Sequence, residues 1–132
     1  MLDCDNLKQF NDQFGHEAGD NLLREISRFL KSHIRGGDIA CRYGGDEFTL
    51  ILPNTPLEAA EQRAMELQAE IKKLKVWHDE RSLGAITLSM GIATFPMHGK
   101  TAKELLRAAD AALYRAKAEG RDRVVVEGAF TT

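Results

Sequence analysis

Residues 39–52 constrain the fold of this 132-residue chain more than any other segment. Two short runs rich in apolar and aromatic residues, 39–43 and 48–52, flank the sequence Gly-Gly-Asp-Glu at 44–47. Such runs around a glycine pair are typical of a β-hairpin, because glycine adopts the positive φ angles of tight turns without a steric clash. The chain is therefore expected to contain an antiparallel pair of strands with two acids at the turn.

Two helices are predicted before the hairpin. Leu7 and Phe10 lie on one side of a brief helix that ends at Gly15. A longer helix is expected from about Ala18 to Ile34, where apolar residues recur at three- and four-residue steps. This spacing gives each helix one apolar face, which is expected to cover the sheet.

Two more helices are predicted after the hairpin, each from a capping box. Thr55 and Glu58 fit this pattern at the start of one helix. Thr101 and Glu104 repeat it at the start of the other. In a capping box the threonine hydroxyl accepts a hydrogen bond from a backbone N–H of the first helical turn, so these positions are expected to mark the helix starts.

Strands account for the remaining apolar segments. In residues 86–92, apolar side chains alternate with Thr87, Ser89 and Gly91, which predicts a strand covered on one face only. Residues 123–127 predict a closing strand. With 43% hydrophobic residues, this order of elements implies a single α/β domain over residues 1–132, an α+β sandwich-like fold whose helices surround a central mixed β-sheet.

Composition excludes several classes of partner. A net charge of −2, with acids and bases interspersed, provides no basic face for a nucleic acid backbone. No apolar run approaches the roughly 20 residues that span a bilayer, so no membrane contact is expected from this segment. Cys4 and Cys41 form no C-x-x-C pair, which argues against a zinc site and for a reducing cytoplasm. Both cysteines are interpreted as small buried side chains.

Acidic residues near the start of the chain indicate a cation site. Asp3 and Asp5 flank Cys4, so on a strand both carboxylates point to one side, unless Asp5 turns away to cap the following helix. If the hairpin turn lies beside Asp3, three carboxylates gather where a helix start offers N–H groups to phosphates. Such oxygen ligands select a hard cation such as magnesium, which serves phosphoryl or nucleotidyl transfer. The alternative is that Asp46 and Glu47 are solvated turn formers.

The chain resembles the GGDEF family of diguanylate cyclases from Asp3 to about Val126. The resemblance rests on four motifs in this order, namely DCDNLKQFNDQFGHEAGD, RYGGDEF, LSMGIA and ADAALYRAKAEGRDRV. It implies a fold similar to that of nucleotidyl cyclases and polymerase palm domains. It also implies a bacterial signal-transduction enzyme, a transferase that condenses two GTP molecules into cyclic di-GMP and pyrophosphate. Because each domain of the family holds one GTP, the resemblance implies a homodimer for catalysis.

The resemblance also implies a role for each matching residue. The metal ligands, for Mg²⁺ or Mn²⁺, are Asp3, the backbone carbonyl of Cys4, Asp46 and Glu47. The catalytic acids are Asp46, which helps to take the proton from the attacking 3′-hydroxyl, and Glu47 beside it. The residues implied in GTP binding are Lys8, Asn11, Asp20, Gly44, Gly45, Lys117 and Arg121.

Within this last set, Asn11 and Asp20 match the positions that read the guanine edge, which offers hydrogens that adenine lacks. The lysines and the arginine match the cations that hold the phosphates, and the two glycines let the backbone approach the α-phosphate. By residue type alone, Lys117 and Arg121 are solvated charges at a helix end.

A second nucleotide site is implied by Arg35 and Asp38. They match the R-x-x-D pattern at which the family's product, cyclic di-GMP, binds as an allosteric inhibitor. A guanidinium grips guanine or phosphate, and a carboxylate accepts hydrogen bonds from guanine. By residue type alone, residues 35–38 are a loop with a local ion pair.

The start of the chain departs from the family pattern. Family domains carry about thirty further residues before this point, so the chain is interpreted as a single GGDEF domain truncated at its N-terminus. Leu7 and Asp122 also replace the phenylalanine and asparagine that are usual in the family. The domain is expected in the cytoplasm. A larger, membrane-bound signalling protein with this domain as its cytoplasmic part is compatible with that expectation.

Two alternatives to an active cyclase use the same domain. One is a module that senses GTP or cyclic di-GMP without turnover, and the other is a dimerising domain with no nucleotide affinity. Degenerate motifs usually mark the sensing class. The motifs here are intact, which favours the cyclase.

Overall fold

A five-stranded mixed sheet forms the centre of the computed structural model, which describes residues 1–128 apart from the side chain of Arg81. Its strands are β1 (Leu2–Cys4), β2 (Ile39–Tyr43), β3 (Glu47–Ile51), β6 (Leu88–Ile92) and β7 (Val124–Val126). A separate small hairpin is formed by β4 (Trp77–His78) and β5 (Arg81–Ser82). The helices are α1 (Leu7–Phe14), α2 (His16–His33), α3 (Leu57–Ile71) and α4 (Ala102–Ala118).

The order of the strands in the main sheet is β2-β3-β1-β6-β7, which places β1 at the centre. β1 runs antiparallel to both of its neighbours, and only β6 and β7 pair in parallel. The register sets Asp3 of β1 opposite Glu47 of β3 on one side and Ser89 of β6 on the other. The first residues of the chain and the hairpin are thereby joined.

Helices cover both faces of this sheet. Leu2, Phe48 and Met90 are buried in one core with apolar residues of α2 and α3. On the opposite face, Met1 packs with Ala109 and Leu113 of α4. Successive residues of an extended chain face opposite sides, so Met1 and Leu2, at the start of the central strand, enter different cores. The predicted α/β architecture with a mixed sheet and surrounding helices is confirmed.

Most boundaries follow the predictions. α1 ends at Gly15, and α2 begins two residues before Ala18. Thr101 caps α4, because its hydroxyl accepts a hydrogen bond from Glu104 N at 3.1 Å. The hairpin of β4 and β5 is an addition that the sequence pattern did not predict. No helix within residues 1–128 has the length and apolar character needed to cross a bilayer.

Three predictions are wrong. Thr55 does not cap α3, because its hydroxyl donates to Pro53 O at 3.1 Å and the helix begins after Pro56. β6 is covered on both faces, since Ser89 and Gly91 are buried as well as the apolar residues between them. Cys41 is exposed on the edge strand β2, whereas Cys4 is buried as expected.

Candidate active site

The carboxylates of Asp3 and Glu47 lie side by side where β1 and β3 pair. Asp3 is buried, with only 4% of its surface exposed. Asp46 immediately precedes β3 in the hairpin turn, so it belongs to the same group of acids. The structure therefore places the three predicted acids close enough for their charges to interact.

Burial and neighbouring charges raise the pKa of Asp3 and that of Glu47. Burial is the largest cause of the raised pKa of Asp3, and the charges of Asp46 and Asp5 add to it. Burial also raises the pKa of Glu47, followed by the charges of Asp110 and Asp3. Since each deprotonated carboxylate is unfavourable beside the others, a bound cation would stabilise the group.

Lys117 of α4 supplies one positive charge to this group. Its ammonium donates a hydrogen bond to Asp3 Oδ2 and forms an ion pair with it. Burial opposes the charge on Lys117, but the hydrogen bond and the nearby carboxylates outweigh burial and raise its pKa. Lys117 is therefore not the freely solvated cation that its sequence position alone suggests.

The other oxygen of Asp3 has the properties of a metal ligand. Oδ1 is buried and accepts no hydrogen bond from the described residues. A carboxylate oxygen can only accept, so its missing partner is a donor or a cation. Asp3 thus fits the divalent metal that the resemblance implies.

A complete metal cage is absent from residues 1–128, where no three His, Cys, Asp or Glu side chains are grouped closely enough to hold an ion. Magnesium commonly takes one or two carboxylates and completes its shell with water and substrate phosphates, so such a cage is not required. Burial raises the pKa of the Cys4 thiol to about 12. The thiol is therefore protonated at neutral pH, and the role predicted for the backbone carbonyl of Cys4 stays a prediction.

Asp5 contradicts only one of its two predicted arrangements, the capping of α1, because its charge lies close enough to Asp3 to raise the pKa of that carboxyl. It does not cap α1, whose N-cap is Asn6 without any side-chain hydrogen bond. Its carboxylate instead accepts from Thr87 Oγ1 at 2.6 Å and from Asp122 N at 3.0 Å. A third hydrogen bond comes from Ser89 Oγ at 2.5 Å. Asp5 is thus engaged with β6 and the turn after α4, and its charge also reaches Asp3.

Asn11 and Asp20, the residues predicted to read guanine, lie on α1 and α2, two helices that pack together. Asn11 Oδ1 is buried, has no hydrogen-bond partner among the described residues, and lies against Gly19. A Cβ at position 19 would lie 1.8 Å from that oxygen, so any other residue there would displace the Asn11 amide. Asp20, the next residue, is exposed, as is Lys8 on α1.

The hairpin turn is open to solvent. Gly44 has a φ of 76°, and Arg42 Nε donates to Gly45 O at 2.8 Å. A Cβ at either glycine would meet no atom within 4 Å. The backbone of the turn is therefore accessible to a bound molecule.

Asp38, predicted to belong to an inhibitory site, is bound by a residue of α3. Asp38 Oδ2 accepts from Arg35 N at 2.9 Å and from Arg63 Nη1 at 2.7 Å. The ion pair of Asp38 is thus with Arg63 of α3, and the local ion pair with Arg35 is not formed. The hydrogen bond from the Arg35 backbone, followed by Arg63, lowers the pKa of Asp38.

Sequence reasoning also missed Asp110, which raises the pKa of Glu47. Asp110 and Lys117 are seven residues apart on α4, two helical turns, and so share one face. Because Lys117 had already been assigned to the site, this spacing could have revealed Asp110. No comparable signal in the sequence connects Arg63 with Asp38.

A cavity of about 630 Å³ lies apart from these acids. Its lining includes Ile51, Ala64, Ile92 and Leu106, and none of the predicted site residues. The acidic end of the sheet is therefore a better candidate than the cavity. It joins several charged groups with an unsatisfied buried oxygen, and the described lining of the cavity contains no such oxygen.

Comparison with known proteins shows the family to which this chain belongs. The sequence model of a family described as "Diguanylate cyclase, GGDEF domain" matches residues 1–123. The chain belongs to the GGDEF family. GGDEF proteins similar to it include diguanylate cyclase A of Treponema denticola, 36% identical over 126 residues that cover 96% of this chain and 34% of that protein. Diguanylate cyclase VdcA of Vibrio cholerae is 43% identical over 128 residues, which cover 95% of this chain and 37% of that protein.

Solved GGDEF structures have the same fold. The GGDEF domain of DgcB from Caulobacter crescentus, in complex with c-di-GMP, has a TM-score of 0.86 and 34% identity, covering 95% of this chain and 74% of that one. The GGDEF domain of PA1120 from Pseudomonas aeruginosa has a TM-score of 0.90 and 32% identity, covering 98% and 80%. The chain spans about a third of the length of the two curated cyclases.

Proposed function

We propose that this GGDEF domain is the catalytic part of a diguanylate cyclase, which joins two GTP molecules into cyclic di-GMP and releases pyrophosphate. The observation that carries the proposal is the buried oxygen Oδ1 of Asp3, which has no hydrogen-bond partner among the described residues. It lies beside the GGDEF turn, because Asp3 pairs with Glu47 across the two strands. Membership of the family and its named cyclases support the same conclusion.

The metal ligands in this proposal are Asp3, the carbonyl of Cys4, Asp46 and Glu47. Mg²⁺ or Mn²⁺ bound there would make the 3′-hydroxyl more acidic and neutralise charge on the phosphates. Asp46 accepts the proton of that hydroxyl. Glu47 adds negative charge beside it, and the Lys117 ammonium opposes the rise in the pKa of Asp3 that burial causes.

The substrate contacts follow from where the remaining residues lie. Asn11 of α1 and Asp20 of α2 are the residues assigned to guanine in this proposal, in which their side-chain oxygens accept its hydrogen bonds. Lys8, Lys117 and Arg121 hold the phosphates of the same GTP. The open turn at Gly44 and Gly45 admits the α-phosphate, because no side chain of the chain fills that space.

One domain offers one such GTP site, so synthesis requires two domains face to face. A two-fold homodimer places the 3′-hydroxyl of each GTP near the α-phosphate of the other. A monomer therefore binds GTP without producing cyclic di-GMP.

The decisive experiment compares the chain alone with the chain fused to a parallel dimeric coiled coil, each incubated with GTP and Mg²⁺. We expect the fusion to form cyclic di-GMP, detected by chromatography. Asp46→Ala in the fusion should lower the rate by at least about 100-fold, since it removes both a metal ligand and the base. GTP binding by the fusion without any product would contradict the cyclase and indicate a nucleotide sensor.

We also propose that Arg35 and Asp38 bind cyclic di-GMP and inhibit the enzyme. Arg63 already neutralises Asp38, so the product must share or displace that ion pair. Arg35→Ala should relieve inhibition by added cyclic di-GMP while initial turnover of GTP stays within about twofold. Inhibition equal to that of the unmodified protein would contradict this site.

A further inference from the structure

The turn that follows α4 has an unusual backbone. Gly120 has a φ of 122°, Arg121 of 64° and Asp122 of 47°. The hydrogen bonds Arg121 N to Ala116 O and Gly120 N to Lys117 O match a Schellman motif, in which a left-handed residue, usually glycine, ends the helix. The two residues after Gly120 also adopt positive φ, which side chains disfavour.

Residues in such conformations persist only where their surroundings hold them. Here α3 provides part of that support. Gln68 Nε2 donates to Asp122 Oδ1 at 2.9 Å and also to Asp122 O, and Lys72 Nζ lies 2.9 Å from Asp122 Oδ2. These contacts hold the side chain and carbonyl of Asp122.

Asp5 holds the backbone N–H of the same residue. Its Oδ2 accepts from Asp122 N at 3.0 Å and from Thr87 Oγ1 at 2.6 Å, and its Oδ1 accepts from Ser89 Oγ at 2.5 Å. The two hydroxyls belong to the segment that enters β6 and to β6 itself. Asp5 is thus fixed by the sheet, and the turn is fixed by Asp5.

The end of α4 is therefore joined to the start of the chain at two points. At one point Lys117 contacts Asp3, both of which are predicted to engage metal or substrate. At the other point Asp5 contacts Asp122, and neither of these is a predicted ligand. The second contact therefore involves neither of the charged groups that a bound nucleotide would engage at the first.

We propose that Asp5 is a positioning residue for phosphate binding. By accepting the Asp122 N–H, it keeps the turn of residues 119–123, which carries Arg121, in its observed conformation. This inference rests on the proposed function, because it takes Arg121 as a ligand of the GTP phosphates. It assigns no chemistry to Asp5 itself.

The test measures binding of inorganic pyrophosphate by calorimetry, which requires no turnover. We expect Asp5→Ala to weaken binding about tenfold, about as much as Arg121→Ala, because a charge-assisted hydrogen bond is lost. In the dimeric fusion, Asp5→Ala should raise KM for GTP more than it lowers kcat. Thr87→Val, which removes one hydroxyl but leaves the Asp122 contact, should stay within about twofold of the unmodified protein.

Asp5→Asn is the conservative variant. Its amide oxygen can still accept the Asp122 N–H while the hydroxyls rotate, so it should restore most of the affinity. Hydrogen exchange of the Asp122 amide provides a direct readout and should accelerate in Asp5→Ala but not in Asp5→Asn. A general loss of stability would accelerate exchange throughout the sheet instead, and that result would overturn the positioning role.

If Asp5→Ala does not fold, Gln68→Leu loosens the same turn from α3 and should weaken pyrophosphate binding by about threefold. Unchanged affinity in that variant, or in a folded Asp5→Ala, would overturn the inference. A third outcome separates the two proposals. If these variants lose pyrophosphate affinity but the unmodified fusion forms no cyclic di-GMP, the positioning role of Asp5 is supported and the proposed cyclase activity is contradicted.

Discussion

The glycines of the hairpin turn and the glycine of β6 have opposite surroundings. A Cβ at Gly44 or Gly45 would meet nothing within 4 Å, whereas a Cβ at Gly91 would lie 2.3 Å from both Ala109 O and Leu113 N. At β6 the missing side chain lets α4 approach the sheet. At the turn it leaves space that no part of the described chain uses, so the space is available to a molecule from outside.

The two regions are nevertheless connected. The close contact at Gly91 sets the distance between α4 and the sheet, and α4 carries Lys117 to Asp3 beside the turn. Packing at one glycine thus determines the charge pairing at the site, while the other glycines keep the site open. Substitutions should separate these roles, because stability and turnover should respond differently at each position.

The largest effect is expected for Gly91→Ala. The added methyl group would overlap backbone atoms of α4, which cannot move aside as a flexible side chain could. We expect the free energy of unfolding, measured by urea denaturation, to fall by about 3 kcal/mol. A loss below about 1 kcal/mol would show that α4 shifts easily and that Gly91 does not set its distance.

A smaller effect is expected for Lys117→Met, which leaves Asp3 buried without its cation. The loss at pH 7 should be about 1–2 kcal/mol, below that of a fully buried pair because the Lys117 side chain is 33% exposed. Lys73→Met is the matched control, since Lys73 pairs with Glu70 at the surface and should change stability by less than about 0.5 kcal/mol.

The effect of Lys117→Met should also depend on pH. The pKa of Asp3 is raised above its ordinary 3.8 in the folded protein, chiefly by burial, so folding favours its protonated form and stability falls as pH rises through the raised value. Without Lys117 that pKa rises further. Measured with EDTA present, the loss should therefore shrink as the pH approaches 3.8 from neutrality. Equal losses at both ends of this range would contradict the role of the carboxylate charge.

The smallest effects on stability are expected at the turn. Gly44→Ala should cost about 1 kcal/mol, because its φ of 76° disfavours a side chain. Gly45→Ala should change stability by less than about 0.5 kcal/mol. Both should lower turnover of the dimeric fusion by more than about tenfold, since a methyl group would occupy the space proposed for the α-phosphate. Full activity in both variants would remove the distinction between the two kinds of glycine.

The sequence predicted the elements whose signals are local. The apolar stripe of α2 and the glycines of the hairpin depend on near neighbours, and both appear in the structure. The two capping boxes show the limit of this approach. Thr101 directly precedes α4, but Pro56 separates Thr55 from α3, so the Thr55 hydroxyl bonds to Pro53 instead.

The candidate site was only partly predictable for the same reason. Asp3, Asp46 and Glu47 were found from short motifs, and the register of β1 with β3 brings them together. Asp5 could not be interpreted from its neighbours, because its partners Thr87, Ser89 and Asp122 lie far along the chain. The strands β4 and β5 were missed since two residues each are too short to show alternation.

The unequal exposure of the two cysteines gives the protein a built-in labelling position. Cys41 lies exposed on the edge strand of the hairpin, opposite Thr49. Cys4 is buried, and its thiol pKa of about 12 leaves almost no reactive thiolate at neutral pH. A maleimide fluorophore will therefore attach to Cys41 alone in the folded protein. Its emission would report, without any substitution, when a second domain approaches the GGDEF hairpin.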